Sequence, residues 1–253
     1  MELSLAGRTA LVTGANGGLG SHFARTLAKA GARVAVAARR VETLAEVCDA
    51  IARSGGRAEA FALDVTRRDS VVRAFDDAGK ALGAITVVVN NAGVAVTKPL
   101  LEHSDEDWDQ VIGVNLTGAW RVAQEAARHM VANGKDGSIV NIASILGLRV
   151  SAQVPSYAAS KAALIQLTKA MALELARHRI RVNALAPGYV ETGINRDFFA
   201  SEQGQALIKR IPQRRIGTPE ELDGALLLLA SDAGSYTTGS VLAVDGGHLV
   251  NTL

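Results

Sequence analysis

Seven short runs of apolar and β-branched residues recur along this chain, separated by stretches with helical spacing. The runs are Thr9–Val12, Arg33–Ala37, Ala58–Leu63, Ile85–Val89, Ser138–Ile142, Arg181–Ala186 and Val241–Val244. They are nearly continuous in apolar character, as strands buried on both faces require. Between them, His22–Ala30, Val41–Ser54, Ser70–Leu82, Asp105–Asn133, Tyr157–His178 and Pro219–Ser231 read as helices. Strands that alternate with helices connect by right-handed crossovers, which predicts an α/β fold with a doubly wound parallel sheet. Of the 253 residues, 48% are hydrophobic and 21% charged, enough apolar material for one large core. No repeat, low-complexity tract or linker divides the chain, so a single domain over residues 1–253 is expected. The least regular stretch is Gly188–Arg215, which contains the adjacent Phe198 and Phe199. Irregular segments of this length are more often functional than idle.

The first strand runs into Thr13-Gly14-Ala15-Asn16-Gly17-Gly18-Leu19-Gly20, and a helix follows. Glycines there allow a tight turn and close approach of the backbone to a pyrophosphate. The helix N-terminus offers free N–H groups and a partial positive charge to the anion. A glycine turn before a helix is often only a turn. Its place after the first strand of an α/β pattern makes it a dinucleotide cradle.

Tyr157 and Lys161 stand four residues apart on a helical stretch and so share one face. Ser144 follows the fifth apolar run. A phenol, an ammonium and a hydroxyl together can make a proton-transfer site. A free tyrosine has a pKa of about 10, too high for easy exchange near neutrality. A neighbouring positive charge lowers such a pKa by about 1–3 units. Lys161 is therefore expected to acidify Tyr157, with Ser144 donating a hydrogen bond to the substrate oxygen as negative charge develops there. Each residue alone has a plainer reading. Tyr157 can be a packed side chain, Lys161 solvated, Ser144 a strand end and Asn115 a surface amide.

Taken together, these motifs resemble the short-chain dehydrogenase/reductase family in its common form of about this length. Thr13–Gly20 matches the family's cofactor loop, and Asn90-Asn91-Ala92-Gly93 matches the motif after its fourth strand. Asn115, Ser144, Tyr157 and Lys161 match its catalytic tetrad, and Asp245-Gly246-Gly247 matches its C-terminal turn. The resemblance runs from about Leu5 to about Gly247. It implies a single-domain Rossmann fold, with a seven-stranded parallel sheet and helices on both faces. It also implies a homotetramer, or sometimes a dimer, paired through Asp105–Asn133 and Tyr157–His178. The cofactor-binding residues it implies are Gly14, Asn16, Gly17, Gly18, Leu19, Gly20, Arg39, Asp64, Val65, Asn91, Ala92, Gly93, Tyr157, Lys161, Pro187, Gly188, Val190 and Thr192. Within that set Asp64 and Val65 border the adenine, while Pro187, Gly188 and Thr192 hold the nicotinamide. Lys161 grips the ribose, and Asn115 supports a water that links Lys161 to solvent. Asp64 on its own has a plainer reading as a turn cap, and the border of the adenine is the reading favoured.

The second strand ends Ala37-Ala38-Arg39-Arg40. The family's NAD-selecting acid would fall near Ala38, where alanine cannot repel a 2′-phosphate. Arg39 is placed to bind that phosphate and stack on adenine. NADP(H) is expected over NAD(H), although the second basic residue common in the loops of NADP-preferring relatives is replaced by Asn16 and Gly17. Solvation of both arginines is the plainer alternative.

Substrate contacts are expected from Ser144, Ile145, Leu146, Gln153, Val154, Tyr189, Ile194 and Phe198. Most are apolar, which suits a hydrophobic ketone or secondary alcohol, with Gly188–Arg215 as its cover. The chain also resembles 3-oxoacyl-(acyl-carrier-protein) reductases, so reduction of the 3-oxo group of an acyl-carrier or acyl-CoA thioester is the alternative. Val154-Pro155-Ser156 departs from their polar pattern before the tyrosine. A non-catalytic dinucleotide-binding regulator would be expected to have lost Tyr157, Lys161 or Ser144. A sugar-nucleotide epimerase would be expected to carry a further C-terminal region.

Other classes have little support. Net charge is +2 with no basic block, so nucleic acid is not an expected partner. Apolar runs fall far short of the ~20 residues of a membrane span, and Met1–Leu5 has no basic, apolar leader. A cytoplasmic protein is expected. Cys48 is the single cysteine, expected to be structural. The five histidines have no ligand spacing, and no metal is expected.

Overall fold

The computed structural model describes residues 3–192 and 196–250, the side chain of Arg196 excepted. In chain order the elements are β1 (Thr9–Thr13), α1 (Gly18–Lys29), β2 (Arg33–Ala38), α2 (Ala45–Arg53), β3 (Arg57–Ala62), α3 (Arg68–Leu82) and β4 (Val87–Asn90). There follow α4 (Asp105–Ile112), α5 (Ala119–Ala132), β5 (Gly137–Ile142), α6 (Pro155–Leu175), β6 (Ile180–Pro187), α7 (Arg196–Ala200), α8 (Glu202–Ile208), α9 (Asp223–Ala230) and β7 (Val241–Val244). All seven strands pair in parallel in the order β3-β2-β1-β4-β5-β6-β7.

Alternation along β1 shows why the runs are apolar throughout. Ala10 and Val12 face a core shared with Phe23 and Leu27 of α1, Ile51 of α2 and Leu226 and Leu229 of α9. Leu11 faces the opposite core, with Phe75 of α3, Val122 and Met130 of α5 and Ala172 of α6. Both faces are covered, so polar alternation would bury unpaired groups. Asn141 of β5 is a polar exception, and its Nδ2 donates to Thr168 Oγ1 of α6 at 2.8 Å.

β1 pairs with β2 on one side and β4 on the other, so the winding reverses between β1 and β4. The crevice beyond the carboxyl ends of these two strands is where such sheets bind ligands. The glycine loop after β1 and Asn91–Gly93 after β4 both open there.

Two sequence-predicted helices change shape. The first starts at Gly18 rather than His22, because Gly18-Leu19-Gly20 forms its opening turn despite the poor helix propensity of glycine. The predicted helix over 105–133 is interrupted, and Gly113–Gly118 winds as a π-helical turn between α4 and α5. The wider turn carries the buried Asn115. Such insertions gather at functional sites. Among the described residues no helix is long and apolar enough to cross a membrane.

Candidate active site

The cradle after β1 is built by close backbone contact. Thr13 Oγ1 accepts from the N–H groups of Asn91 and Ala92, both at 3.0 Å. Asn91 Nδ2 donates back to the carbonyls of Thr13 at 3.0 Å and Gly14 at 3.2 Å. Gly14 adopts φ +65°, and a Cβ at Gly20 would lie 2.1 Å from the Gly14 carbonyl oxygen. Only glycine fits either position. Gly17 caps α1 with no side-chain acceptor, and the first turn carries no acidic residue. The N–H groups there are left for a ligand anion.

They open on a groove of about 470 Å³. Its walls bring together Gly14, Asn16, Gly17, Gly18, Leu19, Gly20, Arg39, Asp64, Val65, Asn91, Ala92 and Gly93. They also include Ala38, Arg40, Leu63, Thr66, Val94 and Val114, which sequence reasoning did not place in the cofactor set. Asp64 is the one carboxylate among these walls. Its Oδ1 accepts from Thr66 N at 2.9 Å and Thr66 Oγ1 at 2.7 Å, so it closes a turn as well as bordering the groove. Arg39 and Arg40 are exposed, and among the described residues no hydrogen bond or ion pair engages either guanidinium. The volume, the uncapped helix and the exposed arginines suit a phosphate-bearing dinucleotide.

Pro187, Gly188, Val190 and Thr192 lie elsewhere, at and beyond the end of β6. Gly188 N donates to Val244 O at 2.9 Å, and a Cβ on Gly188 would come 2.7 Å from Asp245 Cα. The turn after β6 is thus pressed against the turn after β7. Ile194 lies outside the described residues.

Pro155 occupies the first turn of α6, where its missing N–H costs no hydrogen bond. Tyr157 therefore sits in that first turn and Lys161 one turn further. Lys161 is 4% exposed, donates to Ile142 O at 2.8 Å and sits 5.5 Å from the Tyr157 ring centre. Ser144 follows β5, and its Oγ accepts from Leu146 N at 3.1 Å, which turns the chain sharply. Asn115 Oδ1 accepts from Val94 N at 2.8 Å, while its Nδ2 donates to Val94 O at 2.9 Å and Ser160 Oγ at 3.1 Å. Ser160 in turn donates to Tyr157 O at 2.7 Å. Ser160 is a structural partner that sequence reasoning missed, although it lies inside the Tyr157–Lys161 motif. A Cβ on Gly93 would be 3.4 Å from Asn115 Oδ1 and 3.6 Å from Lys161 Nζ. The groove floor and the tetrad therefore meet at Gly93.

The electrostatics differ from the sequence-based expectation. Burial pushes the Tyr157 phenol above its usual value, the neighbouring Ser144 hydroxyl opposes that shift, and Tyr189 adds to it. Burial also disfavours the Lys161 cation and lowers its pKa to about 8, and the net direction at the phenol is upward, not downward.

The expected substrate residues divide. Leu146, Val154 and Tyr189 are half-buried, and Gln153 and Phe198 are exposed. Ile145 is 2% exposed, so its side chain fills the interior instead of lining a substrate surface. A ladder of rings attaches the segment after β6. Phe198 meets Phe199 at 5.3 Å, Phe199 meets Tyr189 at 5.8 Å, and Tyr189 meets His248 at 5.5 Å between centroids. His248 and its neighbour Arg149 were not foreseen as part of this region. Among the described residues no cluster of three or more His, Cys, Asp or Glu could hold a metal ion.

Comparison with known proteins agrees with this geometry. The family model described as Enoyl-(Acyl carrier protein) reductase matches residues 14–248. The 2-dehydro-3-deoxy-D-gluconate 5-dehydrogenase of Escherichia coli (strain K12) is 40% identical over 247 residues, covering 97% of this chain and 97% of the relative. The 3-oxoacyl-[acyl-carrier-protein] reductase FabG of Thermotoga maritima is 38% identical, covering 98% and 100%. The crystal structure of a gluconate 5-dehydrogenase from Burkholderia cenocepacia J2315 in complex with NADP and tartrate matches with a TM-score of 0.94 at 39% identity, covering 99% of this chain and 98% of that one. The chain belongs to the short-chain dehydrogenase/reductase family, and is an oxidoreductase that interconverts a ketone and a secondary alcohol on a small molecule with a nicotinamide dinucleotide.

Proposed function

We propose that the enzyme prefers NADP(H) to NAD(H) and that Tyr157 is its general acid and base. The observation that carries this reading is the approach of Lys161, beside the Tyr157 ring, to Gly93 in the wall of a groove that also bears Arg39 and Arg40. The nicotinamide, when bound, supplies or accepts the hydride. In reduction, Tyr157 gives its proton to the substrate oxygen as that oxygen becomes an alkoxide, and in oxidation it takes the proton back. Ser144 donates a hydrogen bond to the same oxygen. Lys161 holds the ribose and keeps positive charge beside the phenol. Asn115 spends its side chain on Val94 and Ser160, so it acts as a positioning residue that fixes the floor against α6. A water link from Lys161 to solvent would have to form alongside those bonds.

Cofactor choice follows from charge. Ala38 is buried at the end of β2 and carries no acid, and the Asp64 carboxylate is engaged by Thr66. The two free arginines favour a further phosphate. Pro187, Gly188, Val190 and Thr192 are assigned to the nicotinamide end of the cofactor. Gly188–Arg215 covers the substrate, within one domain spanning residues 1–253.

Leu146, Val154 and Phe198 support a hydrophobic neighbourhood around the carbonyl. Gluconate-acting relatives support a substrate that carries polar groups as well. The second reading, reduction of 3-oxoacyl thioesters, is supported by the Thermotoga maritima relative. A homotetramer is supported by large exposed apolar side chains, among them Leu101 at 99%, Val150 at 84% and Leu173 at 82%. A cytoplasmic location completes the reading. The test is a matrix of initial rates, with NADPH and NADH against aliphatic and aryl ketones, β-keto esters, sugar acids and acyl thioesters. NADPH dominance supports the cofactor assignment, and NADH dominance refutes it. Preference for thioesters would favour the second reading.

A further inference from the structure

The geometry points to an anion-recognising end of the substrate cleft, formed by Arg149 and His248, that selects ketones or secondary alcohols bearing a carboxylate several bonds from the reacting carbon. This rests on the oxidoreductase reading above and extends it to a substrate class.

Arg149 is placed by the turn that carries Ser144. Its N–H donates to Ile145 O at 2.9 Å, which sets it one turn beyond the catalytic serine. Its guanidinium Nη1 donates to the His248 carbonyl. Among the described residues its other N–H groups have no partner, and the side chain is half-buried, not sealed. His248 is 6% exposed and its Nδ1 has no hydrogen-bond partner. A buried imidazole nitrogen without a partner is costly unless a ligand supplies one.

Tyr189 ties this pair to the tetrad. Its ring is 5.5 Å from His248, and it lies close enough to Tyr157 and to Arg149 for each to influence phenol ionisation. A substrate with its carbonyl at Ser144 and Tyr157 would therefore extend along Tyr189 towards Arg149 and His248. Among the described residues Asp245 is the carboxylate that acts on His248, raising its pKa against the lowering by burial, Arg149 and Arg210. Asp245 Oδ1 accepts from Gly247 N at 2.8 Å and its Oδ2 from Leu249 N at 2.7 Å, so both oxygens are taken by the backbone. Arg149 can grip a carboxylate with two parallel bonds, and His248 can donate a third.

The test is steady-state reduction by the full-length enzyme with NADPH, using 5-oxohexanoate and its neutral amide as a matched pair. Wild type is expected to prefer the acid, mainly through KM. In Arg149→Gln the acid-to-amide ratio of kcat/KM should fall about 10- to 100-fold, the worth of a hydrogen bond to a charged group. His248→Gln should lower the ratio in the same direction, and Arg149→Lys should recover part of it. An unchanged ratio in Arg149→Gln, or no acid preference in wild type, overturns the proposal. So does a loss confined to an acyl-CoA substrate, because the anion recognised would then be a phosphate. If Arg149→Gln does not fold, the wild-type ratio and the Arg149→Lys ratio still decide. Turnover of both compounds that depends on Tyr157 but ignores the carboxylate would sink this inference and leave the oxidoreductase reading intact. Absence of turnover with the whole ketone panel would sink the underlying reading instead.

Discussion

Asn115 holds both backbone groups of Val94, accepting from its N–H at 2.8 Å and donating to its carbonyl at 2.9 Å. One amide thereby fixes the chain that leaves β4 and forms the groove floor. A third bond, to Ser160 Oγ, ties the floor to α6. Asn115→Ala removes all three and leaves the Val94 backbone unsatisfied in a half-buried place. A loss of about 2–4 kcal/mol is expected in denaturant unfolding, with a marked fall in kcat. A variant as stable and as active as wild type would show that the clamp is idle.

Lys161 sets a pH-dependent stability. Its pKa in the folded protein is about 8 against the ordinary 10.5, because burial disfavours the cation. Below pH 8 both folded and unfolded forms are protonated, and the folded form bears the full penalty, at most roughly 3 kcal/mol. The penalty fades between pH 8 and 10.5, where the folded form loses its proton first. The stability of wild type relative to Lys161→Met should therefore rise with pH across that window. Paired unfolding curves at pH 7, 9 and 10.5 check it, and a flat or falling difference contradicts it.

Cofactor preference should follow the end of β2. Arg39→Ala is expected to lower kcat/KM for NADPH by about 10- to 100-fold and to change NADH little. Ala38→Asp should add repulsion of the 2′-phosphate together with an acceptor for the ribose hydroxyls, moving preference towards NADH. Initial rates at varied cofactor concentration measure both. Equal losses for the two cofactors would mean that Arg39 only packs against adenine.

Particular residues show why some of this was legible and some was not. Thr9–Val12 and the other buried inner runs announced themselves because strands covered on both faces need unbroken apolar character. Tyr157 and Lys161 needed only helical spacing to share a face. The π-turn at Gly113–Gly118 left no mark, since one extra residue per turn barely disturbs apolar periodicity over 105–133. The start of α1 was hidden by its own glycines, which read as loop until Gly20 is seen pressed against Gly14. The raised Tyr157 phenol depends on burial, a property of the whole fold and not of the motif. Arg149 and His248 are 99 residues apart in sequence, and no local pattern joins them.

The central claim is proton delivery by Tyr157, and single-turnover reduction of a ketone by enzyme-bound NADPH tests it most directly. Tyr157→Phe should keep the fold and bind NADPH while slowing the loss of reduced-nicotinamide absorbance by about 10²- to 10⁴-fold. Tyrosinate absorbance of the free protein, compared between wild type and this variant, should place the Tyr157 ionisation above that of a free tyrosine. A Tyr157→Phe enzyme that oxidises NADPH within tenfold of the wild-type rate would contradict the account.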